Sequence, residues 1–188
     1  MFSFIDIEIK NYKNKKGFTL IELLVVITII GILAAIIFAN ITLSRKQARE
    51  SKAMAEMYSI RTAMEMLYSD TGKFPNGNDA YCPPVVSGNN EVDLSLDSAG
   101  LMGNDGNYTN WNGPYVANVI DPWGTPYFLD EDYHCTAGAK GCNGFVTTNN
   151  SNILSVLVSC GPDKMVSGSN GGACVYNDDN IVLILCGP

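Results

Sequence analysis

The chain has 188 residues and a net charge of −7, and 46% of its residues are hydrophobic. Beside an N-terminal helix, this length leaves room for one compact domain of ordinary size. Because nucleic acids are polyanions, the acidic balance disfavours direct binding to DNA or RNA. Beyond about residue 72 the chain is rich in Gly, Asn, Asp and Ser, which is typical of a β domain with many loops.

The first element is an apolar run from Phe18 to Leu43, in which Glu22 is the one charged residue. As a helix this run would be about 39 Å long, enough to cross a hydrocarbon core of about 30 Å. Two basic groups flank it: Lys10, Lys13, Lys15 and Lys16 before the run, and Arg45, Lys46, Arg49 and Lys52 after it. The charge asymmetry is weak, but the leading lysines favour a cytoplasmic N-terminus and a single membrane span.

The residues before the run differ from an ordinary secretory signal. Such a signal is cleaved after its apolar region, whereas the small-residue junction here, at Gly17, precedes it. The stretch KKGFTLIELL at 15–24 resembles the class III leader of type IV pilins and type II secretion pseudopilins. The resemblance implies that a membrane peptidase cleaves after Gly17, that the new N-terminal residue Phe18 is N-methylated, and that Glu22 acts in assembly.

Two hypotheses explain a carboxylate at Glu22. Unpaired near hydrocarbon, it costs up to a few kcal/mol. Paired with the amine of Phe18 on a neighbouring subunit, it gains about 4 kcal/mol at 4 Å and an effective dielectric of 20. In the alternative, Glu22 lies near the headgroups and stays solvated. The surrounding leader motif favours assembly.

The family usually has a proline where this chain has Ala39, so we do not expect the helix to melt there.

An amphipathic helix is predicted to continue through residues 45–71. Met57, Ile60, Met64 and Leu67 recur at spacings of one helical face, with Ala53 and Tyr68 beside them. This face is predicted to pack on a sheet. The charged residues of the segment are expected to face solvent or neighbouring subunits: Arg49, Glu50, Lys52 and Glu56. The helix should end near Gly72, because glycine caps helices and Pro75 prevents continuation.

Strands are predicted in the C-terminal half. Residues 76–118 read as irregular, with short elements around 92–102. A tight turn at 122–126 precedes an aromatic strand, and the segment GPY…DPWGTPY resembles the major pseudopilin of type II secretion. Apolar strands follow at 153–159 and 181–186.

The predicted fold is therefore α+β. A long N-terminal α-helix, first transmembrane and then amphipathic, packs on a small antiparallel β-sheet, as in type IV pilins. The predicted segments are a leader at 1–17, a membrane and assembly half of the helix at 18–44, an amphipathic half at 45–71, and a variable loop with the β domain at 72–188.

Six cysteines, all beyond the predicted span, suggest disulfides in an oxidising compartment: Cys82, Cys135, Cys142, Cys160, Cys174 and Cys186. Six cysteines allow 15 pairings, of which the close pair Cys135 and Cys142 is the first candidate. A zinc site is the alternative, but the spacings lack a C-x-x-C knuckle. Covalent haem is not indicated, because no C-x-x-C-H is present.

A calcium site is a further hypothesis for the loop at 160–180, which is rich in Gly, Asn and Asp. The resemblance to major pseudopilins implies that the main-chain carbonyl of Cys160 and the carboxylates of Asp163 and of Asp178 or Asp179 hold the ion. The loop also carries Cys174, so a disulfide is the alternative to the ion.

No motif for catalysis is present, and the single histidine, His134, adjoins a cysteine that we expect to be bridged. We therefore expect a structural protein, not an enzyme. The resemblance implies a homo-oligomeric filament, with a prepilin peptidase and methyltransferase, an inner-membrane assembly platform with its ATPase, and minor pilins or pseudopilins as partners. The expected location is the cytoplasmic membrane, with the N-terminus in the cytoplasm and the globular domain outside, and then an extracytoplasmic filament.

Three functions fit this pattern. The C-terminal half favours the major pseudopilin of type II secretion. The alternatives are a type IV pilus subunit for adhesion, motility or DNA uptake, and a membrane-anchored binding domain that never assembles.

Overall fold

A computed structural model of the chain describes residues 17–75, 77–79, 91–133, 135, 139–142, 154–165, 174–175 and 178–186. The chain divides into two compact units, Met1–Ser44 (unit 1) and Arg45–Pro188 (unit 2). The leader up to residue 16, Cys82 and His134 lie outside the described residues.

One helix, α1, runs from Leu20 to Thr71 and is unbroken at Ala39. Gly72 follows it with a φ of 73°, and the Gly72 N–H donates to the carbonyl oxygen of Tyr68 at 2.8 Å. Glycine adopts this left-handed conformation without steric cost, and Pro75 cannot extend the helix. The predicted end of the helix is confirmed.

Four antiparallel strands form the sheet: β1 (Val92–Asp93), β2 (Phe128–Tyr133), β3 (Leu154–Ser159) and β4 (Ile181–Cys186). They lie in chain order across the sheet, so each strand pairs with the next along the chain. The three longer strands and the turn before β2 were predicted and are confirmed. The short elements expected around 92–102 are β1 and a 3₁₀ helix at Asp97–Ala99.

The main core of unit 2 lies between α1 and one face of the sheet. Leu129, Leu157 and Leu183 pair across β2, β3 and β4, and all three belong to this core. The predicted helix face is confirmed, since Met57, Ile60, Met64 and Leu67 are all buried. Tyr68, expected beside that face, is 38% exposed and stacks on Phe74 with ring centroids 4.5 Å apart.

The opposite face of the sheet is also buried. Phe128, Val156 and Val158 pack there with Val182 and with four cysteines, Cys135, Cys142, Cys160 and Cys174. Strands covered on both faces need apolar residues at successive positions rather than at alternating ones. This double coverage explains why β3 and β4 read as continuous apolar runs in the sequence.

Glu50 and Glu56, which were expected to face solvent or neighbouring subunits, are half-buried and bond within the chain instead. Glu50 forms an ion pair with Lys140, and Glu56 accepts a hydrogen bond of 2.7 Å from the hydroxyl of Tyr127. Burial, reinforced by the Glu56 carboxylate, raises the pKa of Tyr127 above its ordinary value, because both disfavour the phenolate. The C-terminal half of the chain supplied these partners, which helical periodicity alone does not reveal.

Asp121 organises the turn before β2. Its buried carboxylate accepts hydrogen bonds from the N–H groups of Trp123 and Thr125, both at 2.9 Å. It also accepts from the hydroxyls of Thr125 at 2.8 Å and Ser159 at 2.6 Å. Because Ser159 ends β3, this one side chain ties the turn to the sheet.

Candidate functional site

The described apolar side chains of unit 1 are exposed almost throughout. Between Leu20 and Leu43 every described Leu, Ile and Val is exposed. Among the described residues, α1 is the one helix long and apolar enough to cross a membrane. Exposed apolar surface of this extent is unfavourable in water, and it indicates contact with lipid or with other protein.

Glu22 lies in the first turn of α1 and forms a reciprocal pair with Thr19. The Thr19 N–H and hydroxyl donate to the Glu22 carboxylate at 2.9 and 2.7 Å. The Glu22 N–H in turn lies 3.3 Å from the Thr19 hydroxyl oxygen. This is a capping box, in which residues at the N-cap and three positions later satisfy each other's N–H groups at the start of a helix.

The capping box adds a role that the assembly and headgroup hypotheses for Glu22 both lacked. Its T-x-x-E signature is visible in the sequence at Thr19–Glu22, so sequence reasoning had a signal that it did not use. A Glu22 that caps its own helix has partners for its carboxylate before any second subunit arrives. Its cost in a lone subunit is therefore smaller than that of an unpaired carboxylate.

The predicted processing site precedes the helix. Gly17 is exposed, lies outside α1, and, apart from its neighbours in the chain, has no atom within 4 Å of the position that a Cβ would occupy. Phe18 is 89% exposed. Both residues of the predicted cleavage site are therefore exposed.

The candidate calcium ligands lie in two neighbouring turns. The main-chain oxygen of Asp179 approaches Gly161 so closely that a Cβ at that glycine would lie 2.1 Å from it. This contact brings the turn after Cys160 beside the turn that carries Asp178 and Asp179. The Asp163 carboxylate accepts a hydrogen bond of 3.0 Å from the Met165 N–H. The residues described here contain no group of three or more side chains with metal-ligand chemistry.

Disulfides join the cysteines on the second face of the sheet. Cys135 is bonded to Cys142, the pair that spacing favoured, and Cys160 is bonded to Cys174. Cys186 is disulfide-bonded as well, and none of the described cysteines is free. The bond from Cys160 to Cys174 closes the loop in which calcium was predicted, so this loop has a covalent constraint whether or not it holds an ion.

Residues 12–38 match the prokaryotic N-terminal methylation motif. The type II secretion system core protein G of Pectobacterium carotovorum is 34% identical to the chain over 117 residues, which span 62% of this chain and 67% of that protein. The chain belongs to the type II secretion system core protein G family. Its homologue in Pseudomonas aeruginosa is 28% identical over 172 residues, or 89% of this chain and 98% of that protein.

As a member of this family, the chain is a major pseudopilin of the type II secretion system. The predicted family and fold class are confirmed. A pilus protein is similar too: the type IV wide pilus major component of Thermus thermophilus is 40% identical over 68 residues, 36% of this chain and 52% of that protein. No solved structure matches the chain. In general terms, family and motif indicate prepilin processing, membrane anchoring and a pilus-like filament.

Proposed function

We propose that this chain is cleaved after Gly17, methylated at Phe18, and stacked through α1 into a homo-oligomeric filament. The observation that carries the proposal is the exposed apolar segment Leu20–Leu43, which contains one carboxylate at its open N-terminal end. In the membrane, lipid covers this segment. In the filament, the same segments from other subunits cover it, and the β domains form the outer layer.

Cleavage supplies a positive charge with which the Glu22 carboxylate can pair. It creates a positive amine at Phe18, close to Glu22 on the same chain and available to Glu22 on a neighbour. An amine and a carboxylate attract strongly where the dielectric is low. On docking, the Glu22 carboxylate thus exchanges its capping contacts within one subunit for an ion pair between two subunits. Stacking in any other register would leave these two charges unpaired and is therefore unfavourable.

We propose the remaining partners from the family and from the orientation that the leading lysines favour. A prepilin peptidase and methyltransferase would process the N-terminus on the cytoplasmic side. An inner-membrane platform with its ATPase would extract the subunit, and minor pseudopilins would join the filament. The leading lysines support a cytoplasmic N-terminus. The disulfides support an extracytoplasmic domain in an oxidising compartment.

We further propose that the chain is structural and has no catalytic role of its own. The apolar helix and the pseudopilin family support assembly as its activity, with the chemical energy supplied by the separate ATPase.

The test of processing is the intact mass of the protein from its native membranes, with fragmentation of the N-terminus. We expect a chain that begins at Phe18 and carries one added methyl group. A Gly17→Val variant is expected to retain the leader, because the peptidase recognises the small residue before the cut. Wild-type protein that still begins at Met1 would contradict the proposal and leave a membrane-anchored domain that never assembles.

A second candidate is a type IV pilus subunit, which the Thermus thermophilus relative supports. The two candidate functions differ in the length of the filament: a pilus extends far from the cell surface, whereas a secretion filament stays short. Electron microscopy of cells at native expression distinguishes them, since a pilus subunit gives long surface fibres whose loss impairs adhesion, motility or DNA uptake. A secretion pseudopilin instead gives short fibres whose loss blocks release of secreted proteins.

Calcium remains a proposal for the turns at Cys160–Asp163 and Asp178–Asp179. The contact between Gly161 and the main-chain oxygen of Asp179 supports it, because the candidate ligands then lie in adjacent turns. Calcium prefers oxygen ligands from carboxylates and carbonyls, which these turns offer. An ion bound there would join the end of β3 to the start of β4.

The calcium test is thermal unfolding of the detergent-solubilised chain with CaCl₂ or with a chelator. We expect calcium to raise Tm by about 5 °C, because a ligand that binds the folded state alone stabilises it. Asp179→Asn should remove this gain, and comparison with Asp178→Asn identifies which carboxylate binds. Magnesium, which demands tighter octahedral geometry, serves as the control. Equal Tm values with calcium and with chelator would eliminate the site.

A further inference from the structure

The acidic residues of α1 within unit 2 are largely used inside the subunit. Three of the four, at positions 50, 56 and 70, bond to side chains from the C-terminal half of the chain. The bonds join Lys140 to Glu50, the Tyr127 hydroxyl to Glu56 at 2.7 Å, and the Tyr115 hydroxyl to Asp70 at 2.9 Å. The fourth, Glu65, is exposed. The helix therefore presents few free carboxylates to a neighbouring molecule.

The basic residues at the start of unit 2 differ from these acids in their bonding. Arg45, Lys46 and Arg49 are exposed, and among the described residues none of them forms an ion pair. Lys52, one turn on, pairs with Glu56 at 3.6 Å. We call Arg45, Lys46 and Arg49 the basic segment. Three like charges so close together repel one another, and an acidic partner would relieve this repulsion.

An acidic surface is present elsewhere on the same chain. No Lys or Arg occurs between Lys73 and Lys140. Within this stretch Asp97 and Asp105 are exposed. The Asp97 carboxylate lies against Gly103, where a Cβ would be 2.0 Å from its oxygen, so the two aspartates belong to adjoining parts of one loop. We call Asp97 and Asp105 the acidic patch.

We propose that the basic segment of one subunit docks on the acidic patch of another copy in the filament. The inference rests on the proposed assembly, and it names the contact that fixes the register between neighbouring subunits outside the membrane. A helical filament needs a heterologous interface, in which two different and complementary surfaces of the same chain meet. The basic segment and the acidic patch are such a pair, and the helix acids that would compete for the basic segment are already bonded.

The experiment reverses each surface in the full-length chain, expressed with the complete secretion system. The Lys46→Glu/Arg49→Glu variant is expected to lower the yield of sheared filaments at least about fivefold relative to the membrane pool, because attraction becomes repulsion. The Asp97→Lys/Asp105→Lys variant should lower it similarly. Combining all four substitutions restores the original net charge and the complementarity, and it should recover most of the yield.

The matched control is Arg61→Glu/Lys164→Glu, which changes net charge by the same amount at two other exposed residues. It should retain near wild-type yield. Reversal of the basic segment without loss of yield, while wild-type chains assemble, would overturn this inference and leave the proposed function intact. Absence of filaments from the wild-type chain itself would instead refute the proposed function.

The main rival partner for the basic segment is an anionic lipid headgroup, since the segment follows the membrane helix directly. In that case Lys46→Glu/Arg49→Glu would weaken membrane retention, and reversal of the acidic patch would not rescue it; this outcome also overturns the inference. A measurement on wild-type filaments needs no substitution. Raising NaCl from about 50 to about 500 mM should destabilise sheared filaments, because exposed charge pairs are screened. Filaments indifferent to salt would count against the contact.

Discussion

Replacing Glu22 with alanine is expected to abolish filaments while the chain still inserts into the membrane. The substitution removes the only charge between Phe18 and Leu43, and with it both the capping box and the partner for the amine of Phe18. Without this carboxylate, the amine of Phe18 on a neighbouring subunit has no opposite charge to pair with when the subunits dock. The measurement is the filament yield after shearing, normalised to the membrane-bound pool.

Glu22→Gln separates the two roles of this side chain. Glutamine can accept the Thr19 N–H in a capping box, but it carries no charge. If charge pairing between subunits drives docking, Glu22→Gln fails to assemble just as Glu22→Ala does. Thr19→Val, which removes the capping hydroxyl and keeps the carboxylate, should then still assemble. Filaments from Glu22→Gln but not from Glu22→Ala would show that helix capping is the role of Glu22.

Asp121→Ala is expected to destabilise unit 2 by about 3 to 5 kcal/mol, since each buried donor left without an acceptor costs about 1 to 3 kcal/mol. Four donors lose their acceptor: the N–H groups of Trp123 and Thr125, and the hydroxyls of Thr125 and Ser159. Urea unfolding followed by tryptophan fluorescence measures the loss, because both tryptophans lie in unit 2.

Two variants control this measurement. Asp121→Asn keeps an oxygen for the two N–H groups, so about half the loss is expected. Asp97→Ala removes an exposed carboxylate and should change the free energy of unfolding by less than about 0.5 kcal/mol. A urea midpoint for Asp121→Ala equal to that of Asp97→Ala would refute the role assigned to this network.

The elements of this protein follow from local sequence patterns. Helix α1 is determined by the spacing of its apolar residues Met57, Ile60, Met64 and Leu67 and by Gly72, which follows its C-terminal end. Both signals are local, because helical periodicity and caps act over a few residues. The apolar runs at β3 and β4 bounded by turn residues determine the strands in the same way. The leader motif around Gly17 indicated the type IV pilins and pseudopilins together, and the segment GPY…DPWGTPY favoured the major pseudopilin among them.

The partners of polar side chains were far less predictable. Glu50 and Glu56 have the local appearance of solvent-facing residues, yet Lys140 and Tyr127 bond to them from far along the chain. The buried acceptor role of Asp121 depends on Ser159 in the same way. Pairs separated by many residues leave no periodic signal, because the fold and not the spacing brings them together.

By itself, the sequence determined an apolar helix that is long enough to cross a membrane and carries one carboxylate, an amphipathic continuation and three strands, because these depend on neighbours within one or two turns. Only the tertiary structure decided which face of each strand meets α1, that Cys160 pairs with Cys174, and which helix charges are already bonded. Those outcomes depend on contacts between distant segments. The tertiary structure also leaves the basic segment exposed, whereas the acid beside it, Glu50, is bonded within its own chain.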